Sequence, residues 1–342
     1  MTIKISEKLF KGIYKWLFVV MIAFLPQFAF LGSYINNDSL ALFSISIIIY
    51  SWILGIENKW NTKTCILLGF GIGICSLSYY NAYGYILISF FIFIISNIII
   101  EQKLKWKELF KKGCIIAGIA LIIAGWWFIR SAIIYNGDFL GLTTETEYSE
   151  KYAMQGFKPS ERETPQNKNL TLWYMLKDMD WIKITYYSFV GVFGYMSILM
   201  PSAIYIGYFL LFSGAFIGFL IGLKKILWYC KKEDTNKQKI LLNYSFIFAI
   251  IIPIMLSIYY SYTSDFQPQG RYIMPMLIPF MYFVVYGIQT ILEKIINLKK
   301  IKEFKIINII KNILIILLIV IIVVIAMYCL IKVVIPYYKN LK

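Results

Sequence analysis

With no histidine among its 342 residues, the chain has no imidazole base and no histidine-ligated zinc or haem, so acid–base or metal chemistry must rest on carboxylates. The residues able to do chemistry gather in a few short stretches. Asp265-Phe266-Gln267-Pro268-Gln269-Gly270-Arg271-Tyr272 joins an acid, an arginine and a tyrosine in one short turn. A turn and an interfacial anchor account for Gly270 and Tyr272 but do not require Arg271. An arginine at the outer face also runs against the charge bias of the chain, so Arg271 is read as functional, with Gln269 and Tyr272 beside it. In Trp126-Trp127-Phe128-Ile129-Arg130-Ser131, Arg130 either snorkels to the headgroups as an anchor or faces a cavity and holds a phosphate. Tyr135-Asn136-Gly137-Asp138 follows. Asp38, in Asn36-Asn37-Asp38-Ser39, reads in two ways. Either Asp38 or Ser39 caps a helix, or Asp38 binds a divalent cation or orients an acceptor hydroxyl, because a carboxylate at membrane depth needs a partner. The candidate set is therefore Asp38 as catalytic carboxylate and Arg130, Asp138, Gln269, Arg271 and Tyr272 as substrate-binding residues. No metal ligands are assigned beyond that possible cation.

These residues must be positioned by lipid-embedded helices. The chain is 60% hydrophobic and 18% aromatic, with mean hydropathy +0.70, which leaves too little polar surface for a water-soluble globule of this size. Its +16 charge is spread in short clusters between apolar runs rather than gathered on one face, so nucleic acid is not an expected partner. Cys65, Cys75, Cys114, Cys230 and Cys329 fall in apolar segments or expected cytoplasmic loops, which argues against a disulfide framework. Nine runs approach the length of about 20 residues that spans the hydrocarbon: 13–31, 39–56, 64–80, 83–100, 113–135, 202–223, 240–262, 272–292 and 312–334. The expected fold is all-α and integral to the membrane, one polytopic domain over 1–342 of about nine transmembrane helices. Pro26 interrupts the first run, and Pro275 with Pro279 implies kinks in the eighth.

Orientation follows from the lysines. Placing the N-terminus in the cytoplasm puts 23 of the 34 basic residues in alternate inner loops and ten of the 18 acids outside. The chain is thus expected to be multi-pass in the cell membrane, with the long loop 136–185 extracytoplasmic. Within that loop, 171–184 spaces Leu172, Trp173, Leu176, Met179 and Ile182 as a short interfacial helix. Ser188-Phe189-Val190-Gly191-Val192-Phe193-Gly194 offers close helix contact or a break lining a cavity.

Four patches in this order carry a resemblance. They are Pro26-Gln27-Phe28 with Asn36 to Ala41, Trp127 to Arg130 with Tyr135 to Asp138, Ser188-Phe189 with Gly191 and Phe193-Gly194, and Gln269-Gly270-Arg271-Tyr272. Together they resemble the GT-C superfamily of membrane glycosyltransferases, most closely the bacterial DUF2142-type membrane proteins. The resemblance implies transfer of a sugar from a polyprenyl-phosphate carrier to a glycan, lipid or protein acceptor at the outer face, in cell-envelope polysaccharide biosynthesis. In that superfamily the principal Asp or Asp-Glu pair usually lies on a large first outer loop, ahead of a segment like 26–41. Here the chain starts almost at that segment, so an N-terminally shortened enzyme, an incomplete product and a scaffold without transfer activity all stay open. Two other functions do too: a surface-polysaccharide polymerase or ligase acting on diphosphate-linked glycans, and a lipid-linked glycan transporter or flippase.

Overall fold

A computed structural model describes residues 1–102, 105–227, 234–298 and 304–339. Cys230 and several of the clustered lysines lie outside the described residues. The chain opens with a short amphipathic helix α1 (Thr2–Leu9), whose Lys8 pairs with Glu57 at 2.5 Å. Helix α2 (Tyr14–Ala23) stops two residues before Pro26, because proline disfavours helical backbone in the residue preceding it. Leu25 is accordingly extended, and Pro26 becomes the first residue of α3 (Pro26–Leu31).

Helix α4 (Asn37–Glu57) is capped by neither Asp38 nor Ser39. Asn36 is the cap, accepting the Ser39 backbone N–H at 2.9 Å, and this leaves the Asp38 carboxylate free in the first turn. Helices α5 (Thr62–Ser78), α6 (Gly84–Glu101) and α7 (Trp106–Ala120) follow. A π-turn over Leu121–Gly125 carries α7 into α8 (Trp126–Ile134).

The long loop is largely structured. It contains α9 (Leu142–Tyr152), α10 (Leu172–Lys177) and α11 (Trp181–Gly191). The single interfacial helix expected over 171–184 is thus two helices, because Asp180 takes a left-handed conformation, φ +56°, that ends one hydrogen-bond ladder and starts the next. A two-residue hairpin, β1 (Val192–Phe193) with β2 (Ile198–Leu199), leads into α12 (Ser202–Leu227) and α13 (Asp234–Thr263). The expected proline kinks of the eighth run are instead a buried 3-10 turn, Gly270–Met276, and α14 (Leu277–Leu298) begins after it. Helix α15 (Phe304–Tyr328) passes through a π-segment, Cys329–Val334, into α16 (Ile335–Lys339).

Among the described residues, seven helices are long and apolar enough to cross a membrane, and two shorter apolar helices, Tyr14–Ala23 and Thr62–Ser78, account for the rest of the nine expected segments. Burial divides them. The central α4 has 67% of its apolar window buried, whereas the last span, the most apolar at mean hydropathy 3.6, has 17%. A helix so apolar yet so little covered by protein needs lipid around it. Inside the bundle, tryptophan N–H groups donate to serines rather than stay unpaired: Trp52 to Ser89 at 2.9 Å and Trp60 to Ser96 at 2.7 Å. Helices α12 and α14 cross with their backbones touching. A Cβ on Gly218 would lie 2.1 Å from the Gly287 carbonyl oxygen, and one on Gly287 would lie 1.9 Å from that of Ala215. Small residues are what permit this approach.

Candidate functional site

Three patches that are far apart in sequence meet at the end of the bundle that carries the long loop. Gln27, 5% exposed on α3, uses its side-chain oxygen to accept the Val192 N–H at 2.9 Å, which fixes α3 to the start of the hairpin. Alongside, Gly191 faces the Pro26 ring, Phe30 meets Phe193 edge-on at 5.2 Å, and Tyr205 donates to the Gly191 carbonyl at 2.6 Å. The third patch docks on α11. The Gly270 N–H donates to the Ser188 hydroxyl at 2.5 Å, and a Cβ at 270 would sit 2.1 Å from the Phe189 nitrogen, so only glycine fits there.

This docking sets Arg271 on the wall of a cavity of about 810 Å³, together with Gln27, Tyr34, Ser188, Gln269 and Tyr338. The guanidinium is half-buried. Its Nη2 donates to the Tyr272 hydroxyl at 3.0 Å, its carbon lies 4.9 Å from the Tyr272 ring centre, and its Nε is buried without a partner. A buried N–H that nothing satisfies carries a desolvation cost, and the half-buried cation on the cavity wall favours an anion there.

Asp38 lies in the same electrostatic neighbourhood. It is 6% exposed, with no hydrogen-bond or ion-pair partner for its carboxylate among the described residues. Tyr34, in the loop between α3 and α4, senses both charges. Burial, then the Asp38 carboxylate, pushes its phenol above the ordinary range, while Arg271 pulls it back. The guanidinium and the Tyr34 phenol on the cavity wall can hold an anion and orient a hydroxyl, and the Asp38 carboxylate, behind that wall but within electrostatic reach of Arg271, can accept a proton. Among the described residues no three of His, Cys, Asp and Glu come together as a metal centre would require, so a cation at Asp38 would need ligands from its substrate.

A hydrogen-bonded line runs outward from Arg271. Arg271 donates to Tyr272, the Tyr272 hydroxyl donates to the Gln267 oxygen, and Gln267 Nε2 donates to Asp265 at 2.5 Å. Every donor points the same way, from the cation to the carboxylate, an order in which each bond polarises the next.

Of the residues singled out in the sequence, Gln269 and Arg271 line this cavity, with Tyr272 hydrogen-bonded to Arg271 and Asp38 within its electrostatic reach, whereas Arg130 and Asp138 do not line it. Arg130 is exposed on α8, its guanidinium 5.2 Å from the Trp127 ring centre. Asp138 holds the loop, accepting the N–H groups of Gly141 at 3.0 Å and Thr144 at 2.8 Å. The Thr144 N–H above all keeps its carboxyl below the usual range. Tyr34 and Tyr338 line the cavity without having been singled out. Tyr34 had a signal in its closeness to Asn36 and Asp38, but Tyr338 had none.

This architecture defines a multi-pass α-helical membrane protein. The family described as predicted membrane protein (DUF2142) matches residues 8–281, and the chain belongs to that family. No curated protein and no solved structure matches it. The matched span holds every residue of the Arg271 cluster, leaving Val334 and Tyr338 as the cavity wall contributed from beyond it.

Proposed function

We propose that the protein is a glycosyltransferase that takes a sugar from a polyprenyl-phosphate carrier and passes it to a hydroxyl of a cell-surface glycan, lipid or protein, with the loop-bearing end of the bundle extracytoplasmic. The observation that carries this reading is the Arg271 side chain, half-buried on a cavity wall at the membrane boundary with its Nε unpaired. A phosphate anchored by a lipid tail is an anion delivered to that depth. Nothing soluble is held there as readily, because the tail partitions among the helices while the headgroup stays at the cavity.

In the transfer, the acceptor hydroxyl oxygen attacks the anomeric carbon and the bond from that carbon to the phosphate oxygen breaks. The electron pair leaves with the phosphate, and the hydroxyl proton passes to a carboxylate, for which Asp38 is the buried acid beside Arg271. Arg271 stabilises the charge growing on the departing phosphate.

Binding of a long-chain polyprenyl phosphate to the purified chain in lipid nanodiscs tests the reading. Arg271→Ala is expected to weaken it about tenfold or more, the loss of a charge-assisted contact, while Arg130→Ala has a smaller effect, since Arg130 lies outside the cavity. Equal binding by wild type and Arg271→Ala would remove the arginine from the site. Comparing monophosphate- with diphosphate-linked donors separates this activity from a polymerase or ligase, and flux in vesicles without transfer would mark a flippase.

A further inference from the structure

The Arg271 line ends in a second cavity. Asp265 and Gln267, its outer members, line a space of about 610 Å³ whose other wall is the long loop, through Arg162, Thr164 and Phe157. The loop is fastened there by two hydrogen bonds. The Gln166 N–H donates to the Tyr262 carbonyl at 3.2 Å, and the Tyr262 hydroxyl donates to the Leu170 carbonyl at 2.9 Å. Two cavities on the same end of the bundle thus share one rigid turn, with a carboxylate facing one and a guanidinium facing the other.

We infer that this second cavity is the acceptor subsite and that it takes a neutral carbohydrate, an assignment that rests on the glycosyl-transfer reading for the word acceptor. Its walls offer a carboxylate (Asp265), an amide (Gln267) and a guanidinium (Arg162), planar groups that hydrogen-bond pairs of adjacent hydroxyls. Phe157, 67% exposed, and Phe266 supply apolar faces for the C–H side of a sugar ring. The charges of Arg162 and Asp265 offset each other, and Glu163 is already paired with Lys168 at 2.5 Å, so a charged ligand gains nothing over a neutral one. The line from Asp265 to Arg271 then senses occupancy on both sides, because a hydroxyl bonded to Asp265 competes with Gln267 and alters the polarisation reaching Tyr272.

The test uses the full chain in nanodiscs. Free glucose, N-acetylglucosamine and their dimers are the probes, binding is read by saturation-transfer NMR, and a long-chain polyprenyl phosphate is titrated separately. At least one saccharide is expected to bind wild type, Arg162→Ala to weaken it about tenfold with polyprenyl-phosphate binding retained, and Asp265→Asn, which also alters the line to Arg271, to weaken it about tenfold. Phe157→Ala, at an exposed position with little bearing on folding, should weaken it as well. The assignment fails when none of the saccharides binds wild type, or when all three variants bind them as wild type does. Saccharide binding that survives while polyprenyl phosphate does not bind at all would overturn the donor reading and leave a carbohydrate site.

Discussion

The Ser188 hydroxyl accepts the Gly270 N–H at 2.5 Å while donating to the Ile184 carbonyl at 2.9 Å. One side chain thereby ties the turn before Arg271 to the body of α11, across 82 positions of sequence.

Ser188→Ala is therefore expected to leave the Gly270 N–H buried and unpaired, at about 1–3 kcal/mol, and to lower both the detergent Tm and the affinity for polyprenyl phosphate. Gly270→Ala, whose Cβ has no room against the Phe189 backbone, should be the more damaging of the two. A Gly270→Ala protein binding like wild type would show that the turn does not set the site.

Asp38→Asn keeps the size and position of the side chain but cannot take a proton. Transfer should fall about 100-fold with polyprenyl-phosphate binding unchanged or stronger, because a negative charge near the phosphate is gone. Transfer at the wild-type rate would assign the proton to another acceptor.

Gly218→Ala forces a methyl against the Gly287 carbonyl. Separating α12 from α14 is expected to cost about 1–3 kcal/mol, read as a lower midpoint of thermal unfolding in detergent. An unchanged midpoint would mean the two backbones are not in contact.

The loop should loosen in acid. Asp138, Glu150 and Glu163 are held below their ordinary ranges, first of all by the Thr144 N–H, the Ser160 hydroxyl and Lys168 respectively. Groups with depressed folded-state values contribute stability that is present above the unfolded values, about 4, and is lost as pH falls through the folded ones. Amide exchange over 138–164, corrected for its intrinsic rate, is expected to rise below about pH 4 while α4 and α6 stay protected. Exchange that does not change between neutral pH and pH 3 would count against these contacts.

Much of this was legible in the residues, and the reasons differ. The membrane fold follows from apolar runs of spanning length. Arg271 stood out because an arginine in an outer turn opposes the charge bias of the chain, and Gly191 did so because glycine permits close approach, whereas Gly270 read only as a turn residue. What sequence does not carry is long-range choice. Asn36, Asp38 and Ser39 are all good caps, and only the approach of the chain selects Asn36. Nothing local forces Asp180 into a left-handed turn that splits the expected interfacial helix. Asp138 read as a substrate-binding residue at the loop entrance; in the structure it accepts the N–H groups of Gly141 and Thr144, as aspartates in turns commonly do.

The contact between Gly218 and Gly287 is also where a fulcrum would lie. It lies about 24 Å along α12 from the hairpin end and about 14 Å from the lysine-bearing end, at 1.5 Å per residue. If α12 and α14 rock against each other, they pivot where no side chain can yield, and a small displacement near Lys224 and Lys225 reappears enlarged and reversed beside the Arg271 cavity. Spin-label distances at the two ends should then change in opposite senses, and together if the helices instead slide as one block. Leverage of this kind would make the lysine-bearing end of the bundle a mechanical input to the Arg271 cavity at the other end.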